Sequence, residues 1–236
     1  MSRGPALTHE RPQRVNAGVR RTLAVRRPGL VPYADALRLQ DELVAKRRAG
    51  EIPDTLVVLE HPDVITLGSS ADPADVLASA EELGRLGVEL FRAGRGGGVT
   101  YHGPGQLVAY PILDLKPDRK DLHAYLRDLE TVLLDVASAF GVRAHRRAGL
   151  TGVWTEAGKL AAIGVRVSSQ WIASHGVALN VSCDLRRFDA IVPCGLADES
   201  VTSLEREVGS PVSMVEVTNV FLRSFADAFG RAITVA

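Results

Sequence analysis

GVWTEAGKLAAIGVRV, residues 152–167, reads as a β-hairpin: a strand, a turn at Glu156-Ala157-Gly158, then a second strand. GVALNV (176–181) is a further strand, and LVAYPILDL (107–115) another. Pro111 interrupts the latter, which places it at an edge or a bulge. TLAVRR (22–27), TLVVLE (55–60), VITLG (64–68) and VELFRA (88–93) add strands toward the N-terminus. Helices read over 32–48, with Pro32 at the start and Gly50 just past the end, and after a Ser79/Glu82 capping box. A long one follows Asp121, with Leu122, Leu126, Leu129, Leu133, Val136 and Phe140 as its apolar face and Gly141 as its stop. A last helix runs from about Ser213 to Phe229. Strands arrive in pairs rather than strictly alternating with helices. The expected fold class is therefore α+β, a mixed sheet flanked by helices.

No repeat or linker divides residues 21–236, which read as one catalytic-size domain. Residues 1–20 carry Arg3, Arg11, Arg14 and Arg20, two prolines and few large apolar side chains, and read as a disordered N-terminal extension. Glu10 and the lack of an amphipathic face argue against a transit peptide. The 28 basic and 28 acidic residues cancel, so no whole-protein field attracts nucleic acid or an anionic membrane. No apolar run approaches the roughly 18 residues of a membrane span. Two cysteines cannot build a disulfide framework, which points to a reducing cytoplasm and leaves room for a working thiol.

Three stretches could carry chemistry. Six glycines fall between Gly94 and Gly105, around Arg95-Gly96-Gly97-Gly98-Val99-Thr100-Tyr101-His102. Glycine lets a ligand approach the main chain, and exposed amides there can bind a carbonyl or an anion. The plain alternative is a bulged hairpin with tight turns. Lys159, one of only 4 lysines, enters an apolar strand beside a turn. It is either a snorkelling turn residue or a partly desolvated base. Cys194 lies between Pro193 and Gly195, whereas Cys183 adjoins Asp184, whose carboxylate disfavours a thiolate. A buried structural thiol is the default for either cysteine, and if one is a nucleophile Cys194 is the better candidate. A zinc site from His175, Cys183 and Cys194 lacks the short ligand pairs of structural zinc.

Taken together, RGGGVTYHGPGQLVAYPILDL, GVWTEAGKLAAIGVRV, SHGVALNVSCDLRRFDAIVPCGL and VTSL strongly resemble the lipoyl(octanoyl) transferases over about residues 22–230. The resemblance implies a fold like the biotin and lipoate ligase catalytic domain. It implies transfer of an octanoyl group from octanoyl-acyl carrier protein to a lysine of a lipoyl domain through a cysteine thioester, the first step of endogenous protein lipoylation. Acceptors would be lipoyl domains of 2-oxoacid dehydrogenase E2 subunits and the glycine cleavage H protein. No cofactor, metal or ATP is implied, and a cytoplasmic monomer is expected. Carried over residue by residue, Cys194 takes the acyl group and Lys159 activates it. Arg95, Gly96, Gly97, Gly98, Val99, Thr100, Tyr101 and His102 bind the acyl substrate, with Ala162, Ile163, Gly164, Gly176, Val177 and Ala178. Val99, Ile163 and Val177 are expected to line an apolar tunnel. Amides of Gly195 and the Gly-rich loop are expected to hold the oxyanion, and Arg92, Arg95, Arg143, Arg146 and Arg147 to dock acidic partners. The alternative is an ATP-dependent lipoate–protein ligase, which shares the fold but needs no nucleophilic cysteine.

Overall fold

The computed structural model describes residues 20–192 and 200–235. Of the expected N-terminal extension only Arg20 falls within them, and Pro193, Cys194 and Gly195 lie outside. In chain order the elements are β1 (Arg21–Leu30), α1 (Tyr33–Ala49), β2 (Asp54–Glu60), β3 (Val64–Leu67), α2 (Ala80–Leu86), β4 (Glu89–Arg92), β5 (Val99–His102) and β6 (Gln106–Ile112). There follow α3 (Leu122–Ala139), β7 (Gly152–Thr155), β8 (Gly158–Val167), β9 (Ala173–Asn180), α4 (Leu204–Val208), α5 (Met214–Phe229) and β10 (Arg231–Val235). The strands form two sheets, one ordered β10-β1-β2-β6-β9-β8-β7 and a smaller one ordered β4-β3-β5. Parallel pairs β1·β10 and β1·β2 adjoin antiparallel β2·β6, β6·β9, β9·β8 and β8·β7. The expected mixed α+β sheet is present, and the structure adds its division into two.

Alternation along the central strands sorts side chains onto two faces. Leu56, Val58, Leu107, Ala109, Val177 and Leu179 pack with α3 and α5 through Leu129, Leu133, Val136, Phe221, Phe225 and Phe229. Val57, Leu59, Val108, Tyr110 and Ala178 point the other way, onto Ala36 and Leu43 of α1. Covered on both faces, β2 is apolar without interruption from Leu56 to Leu59.

Two readings needed correction. Pro111 is in a central strand, paired with Leu56, not at an edge. The β6–β9 ladder stops at Ala109/Val177, and contact resumes where the Ala173 N–H donates to the Leu113 carbonyl, 2.9 Å. The proline thus sits in a gap of the ladder. On α3, Leu122 is exposed while Tyr125 and Val132 are buried, so the apolar stripe is turned by about one position. The capping assignments hold: the Ser79/Glu82 box is reciprocal, and Asp121 accepts from Ala124 N–H at 3.1 Å.

The far edge of the large sheet is tied by a buried charge cluster. Asp54 accepts from Arg47 Nε at 2.8 Å, Arg231 Nε at 3.0 Å and Arg21 Nη2 at 3.1 Å. Asp118 takes Arg231 Nη1 at 2.6 Å. The cluster joins β1, β2, β10 and α1. Removing Asp54 would leave the buried Arg231 poorly compensated, which typically costs about 3–5 kcal/mol. Asp54→Asn should therefore lower the thermal midpoint by about 10 °C in a chain of this size. A shift below about 2 °C in differential scanning calorimetry would show that the cluster contributes no net stability.

Candidate active site

A pocket opens between the α1 face of the large sheet and the inner face of the small one. Its free space, counted to the open mouth, is about 490 Å³. Its base is a trough of small residues. Ala162 pairs with Ala178, and Gly164 with Gly176, on adjacent strands β8 and β9. Val108 continues the first row across β6. Ile163 and Val177 border the pocket, but their side chains pack into the α3/α5 core, so the expected tunnel wall is formed instead by their small neighbours.

The Gly-rich loop forms the roof. Its carbonyls at Arg95, Gly97 and Gly98 accept from Ser69, Ser70 and Gly68 N–H groups, and Gly96 N–H donates to Val165 at 2.9 Å. The Gly96 amide is thereby spoken for, which removes it from the expected oxyanion donors. Gly68 must be glycine, because a Cβ there would lie 2.1 Å from the Gly97 oxygen. Arg95 is buried rather than part of a surface patch. Its Nη1 donates to Gly96 and Gly98 carbonyls at 3.1 and 3.0 Å, and its Nη2 to the Thr66 carbonyl and hydroxyl at 2.7 Å. The guanidinium holds the loop in shape. Of the other arginines expected to dock partners, Arg146 is paired with buried Glu130 and Arg147 lies over Trp154, while Arg92 and Arg143 are exposed.

Lys159 lines the pocket and is largely buried. A β-bulge puts it there. Val153 pairs with Ala161, but Trp154 pairs with Lys159, so Leu160 is an extra residue in β8. Strict alternation would set Lys159 on the core face with Ala161. The extra residue sends Leu160 and Ala161 both into the core and turns Lys159 to the pocket. The lysine's backbone pairs with the segment beyond the undescribed residues: Lys159 N–H donates to Ser200 at 2.8 Å, and Thr202 N–H to Lys159 at 3.0 Å. Cys194, the expected nucleophile, lies outside the described residues. Cys183 is buried, and burial first, then Asp184, pushes its thiol up to about 12.

Behind His102 and Tyr110, which line the pocket, runs a buried polar network whose Gln106, Asn180, Thr202 and His61 sequence reading did not assign. His102 Nδ1–H donates to Gln106 Oε1 at 2.7 Å, Gln106 Nε2 to Asn180 at 2.9 Å, and Asn180 Nδ2 to the Thr202 carbonyl at 2.9 Å. His61 donates from Nδ1 to the Val31 carbonyl at 2.6 Å and accepts from Tyr110 at 2.7 Å. Tyr33 stacks on His102. His175 lines the pocket with φ at 54°, its N–H on Gln40 at 2.8 Å. Of the site residues expected from sequence, Arg95, Gly97, Gly98, Val99, Thr100, His102, Lys159, Ala162, Ile163, Gly164, Gly176, Val177 and Ala178 surround this one pocket. Tyr101 turns away toward the small sheet's core and Asp63, and Gly96 lies on β8. Among the described residues, no three His, Cys, Asp or Glu side chains are grouped to hold a metal ion, and no helix is long and apolar enough to cross a membrane.

The site is a small-residue trough on a mixed sheet, roofed by a glycine loop and flanked by a lysine. The model of the lipoyl protein ligase A/B catalytic domain matches residues 32–226. An octanoyltransferase of Rubrobacter xylanophilus is 52% identical over 213 residues, covering 89% of this chain and 96% of the relative. One of Chloroflexus aurantiacus is 47% identical over 211 residues, covering 89% and 95%. A T. acidophilum protein solved with bound lipoic acid shares the fold, with a TM-score of 0.73 at 17% identity over 90% of this chain and 88% of that one. The chain belongs to the lipoyl protein ligase A/B catalytic domain family.

His102 and His175, which line the pocket, and His61, packed against His102, are neutral near pH 7. Burial holds His61 and His175 down to about 4 and His102 to about 3. In the unfolded chain each would titrate near 6.5, so from there down to about pH 4 the unfolded state binds protons that the folded state refuses. This stability is complete above pH 6.5 and is lost as pH falls, by up to about 2 kcal/mol for each imidazole at pH 5. Urea melts between pH 5 and 6.5 should show a pH slope about one proton smaller in His61→Asn than in the parent. Identical slopes would show that His61 is not held neutral.

Proposed function

We propose that the chain transfers an octanoyl group from octanoyl-acyl carrier protein to a lysine of a lipoyl domain, with Cys194 as nucleophile and Lys159 as its base. The observation that carries this reading is Lys159 turned into a small-residue trough while its backbone pairs with Ser200 and Thr202, the described residues that follow Cys194. The octanoyltransferase names of relatives at 52% and 47% identity support the reaction type. A trough of alanines and glycines suits an unbranched chain. Burying its seven methylene-sized units is worth roughly 5–6 kcal/mol gross.

Lys159 takes the thiol proton and its ammonium steadies the thiolate. The thiolate attacks the carrier thioester, and the departing phosphopantetheine thiolate recovers the proton from Lys159. The acceptor amine then attacks the acyl-Cys194 thioester and gives its proton to Lys159, which returns it to the Cys194 thiolate. No ATP, cofactor or metal enters these steps. Acceptors are lipoyl domains of the kind carried by 2-oxoacid dehydrogenase E2 subunits and the glycine cleavage H protein. The protein acts as a cytoplasmic monomer, with residues 1–20 as an extension outside the catalytic domain.

Intact-protein mass after mixing with octanoyl carrier protein should show one octanoyl adduct, absent in Cys194→Ser and retained in Cys183→Ser. Lys159→Ala and Lys159→Arg should each lower kcat/KM by about 10²–10⁴, because arginine keeps the charge but releases no proton. An adduct mapping to Cys183 would remove the nucleophile assignment. ATP/pyrophosphate exchange dependent on lipoate, with no adduct, would instead establish a ligase.

A further inference from the structure

The stem of Lys159 does not lie loose in the pocket. A Cβ placed on Gly152 would stand 3.2 Å from both Lys159 Cε and Trp154 Cη2, and 2.7 Å from the Ala161 oxygen. The lysine stem and the edge of the indole therefore meet directly over the bare Cα of Gly152. Gly152 itself is at φ 139°, a backbone region that side chains rarely adopt. Its N–H is held by Oε1 of the fully buried Glu130 at 3.2 Å, and Arg127 and Arg146 anchor the other oxygen of that carboxylate at 2.6 and 2.8 Å. Past this point the Lys159 ammonium sits over the Trp154 ring, 5.1 Å from its centroid. Trp154 is almost fully buried, and its indole Nε1 has no hydrogen-bond partner among the described residues. A large buried aromatic kept without satisfying its one polar atom needs another reason for its place, and its contacts with Lys159 and with Arg147, 5.6 Å from the ring centroid, supply one.

We propose that Trp154 is a positioning residue for the acyl transfer: its ring face, with Gly152 as the floor, holds the Lys159 ammonium in the orientation that exchanges a proton with Cys194. This rests on the reading of Lys159 as that proton's acceptor. The π face attracts the ammonium and not the neutral amine. It therefore favours the proton-transferred state, Lys159 ammonium with Cys194 thiolate, over the neutral pair. The ring is almost fully buried, which strengthens the attraction.

The test weakens the ring face without changing its shape. The chain has two tryptophans, so Trp171→Phe leaves Trp154 as the single site for mono-, di- and trifluorotryptophan. Each fluorine draws density from the ring. Iodoacetamide alkylation of Cys194 at pH 7 and kcat should fall stepwise along the series, by about 10- to 30-fold overall, the equivalent of a desolvated cation–π contact. KM for the carrier protein and the thermal midpoint should stay near the parent values. In a Lys159→Met background the same series should leave the alkylation rate unchanged, because no ammonium remains to be held. A flat series in the Lys159 protein, with Lys159→Met inactive, would overturn the role of Trp154 and leave the Lys159 base standing. An equal decline in both backgrounds would also overturn it, by showing a structural effect. Full activity in Lys159→Met would overturn the base assignment and this inference with it.

Discussion

A single extra residue in β8 decides which way the site faces. Leu160 breaks the two-residue alternation of the strand, so Lys159 leaves the α3/α5 core and enters the pocket. The turn at Glu156-Ala157-Gly158 precedes it, and the small residues Ala162 and Gly164 follow on the pocket face once alternation resumes. A β8 without the bulge would bury an ammonium among phenylalanines and leucines, an arrangement with a large desolvation cost. The bulge also aligns the Lys159 backbone with Ser200 and Thr202, which brings the strand beside the return of the chain from the Cys194 segment.

Everything else at the pocket keeps space open or keeps it shaped. Glycine at 164 and 176 and alanine at 162 and 178 leave a trough where larger side chains would fill the sheet face. Arg95 donates to carbonyls of its own loop and of Thr66, which ties the roof to β3. His61 and His102 are held as neutral donors and acceptors by Val31, Tyr110 and Gln106. The result is a cavity with few charged groups along its length and the Lys159 side chain on its wall.

Much of this was legible from local sequence. The hairpin at 152–167, the strands at 55–60 and 176–181, and the caps at Ser79 and Asp121 rest on neighbours in the chain, and each formed where the pattern placed it. Most of the residues that the family motifs named line one pocket. What escaped the sequence depends on long-range partners. The bulge at Leu160 is fixed by β7 and the core. The Asp54 cluster joins residues up to 177 positions apart. Pro111 is tolerated in mid-sheet only because β9 parts from β6 beyond Ala109. Gln106, Asn180 and Thr202 are ordinary polar residues until the fold lines them up behind His102.

The central claim is that the trough between the Gly-rich loop and the β8–β9 small residues holds the acyl chain. A crystal structure of the octanoyl-enzyme tests it directly. The account predicts density for the chain over Ala162 and Ala178, beneath Gly97–Val99, with its carbonyl end within reach of Lys159 Nζ. A more open, polar groove lined by Ser182, Cys183, Ser203, Arg206 and Pro211 lies elsewhere on the molecule. An acyl chain seated there, with the trough closed or filled by water, would contradict the account.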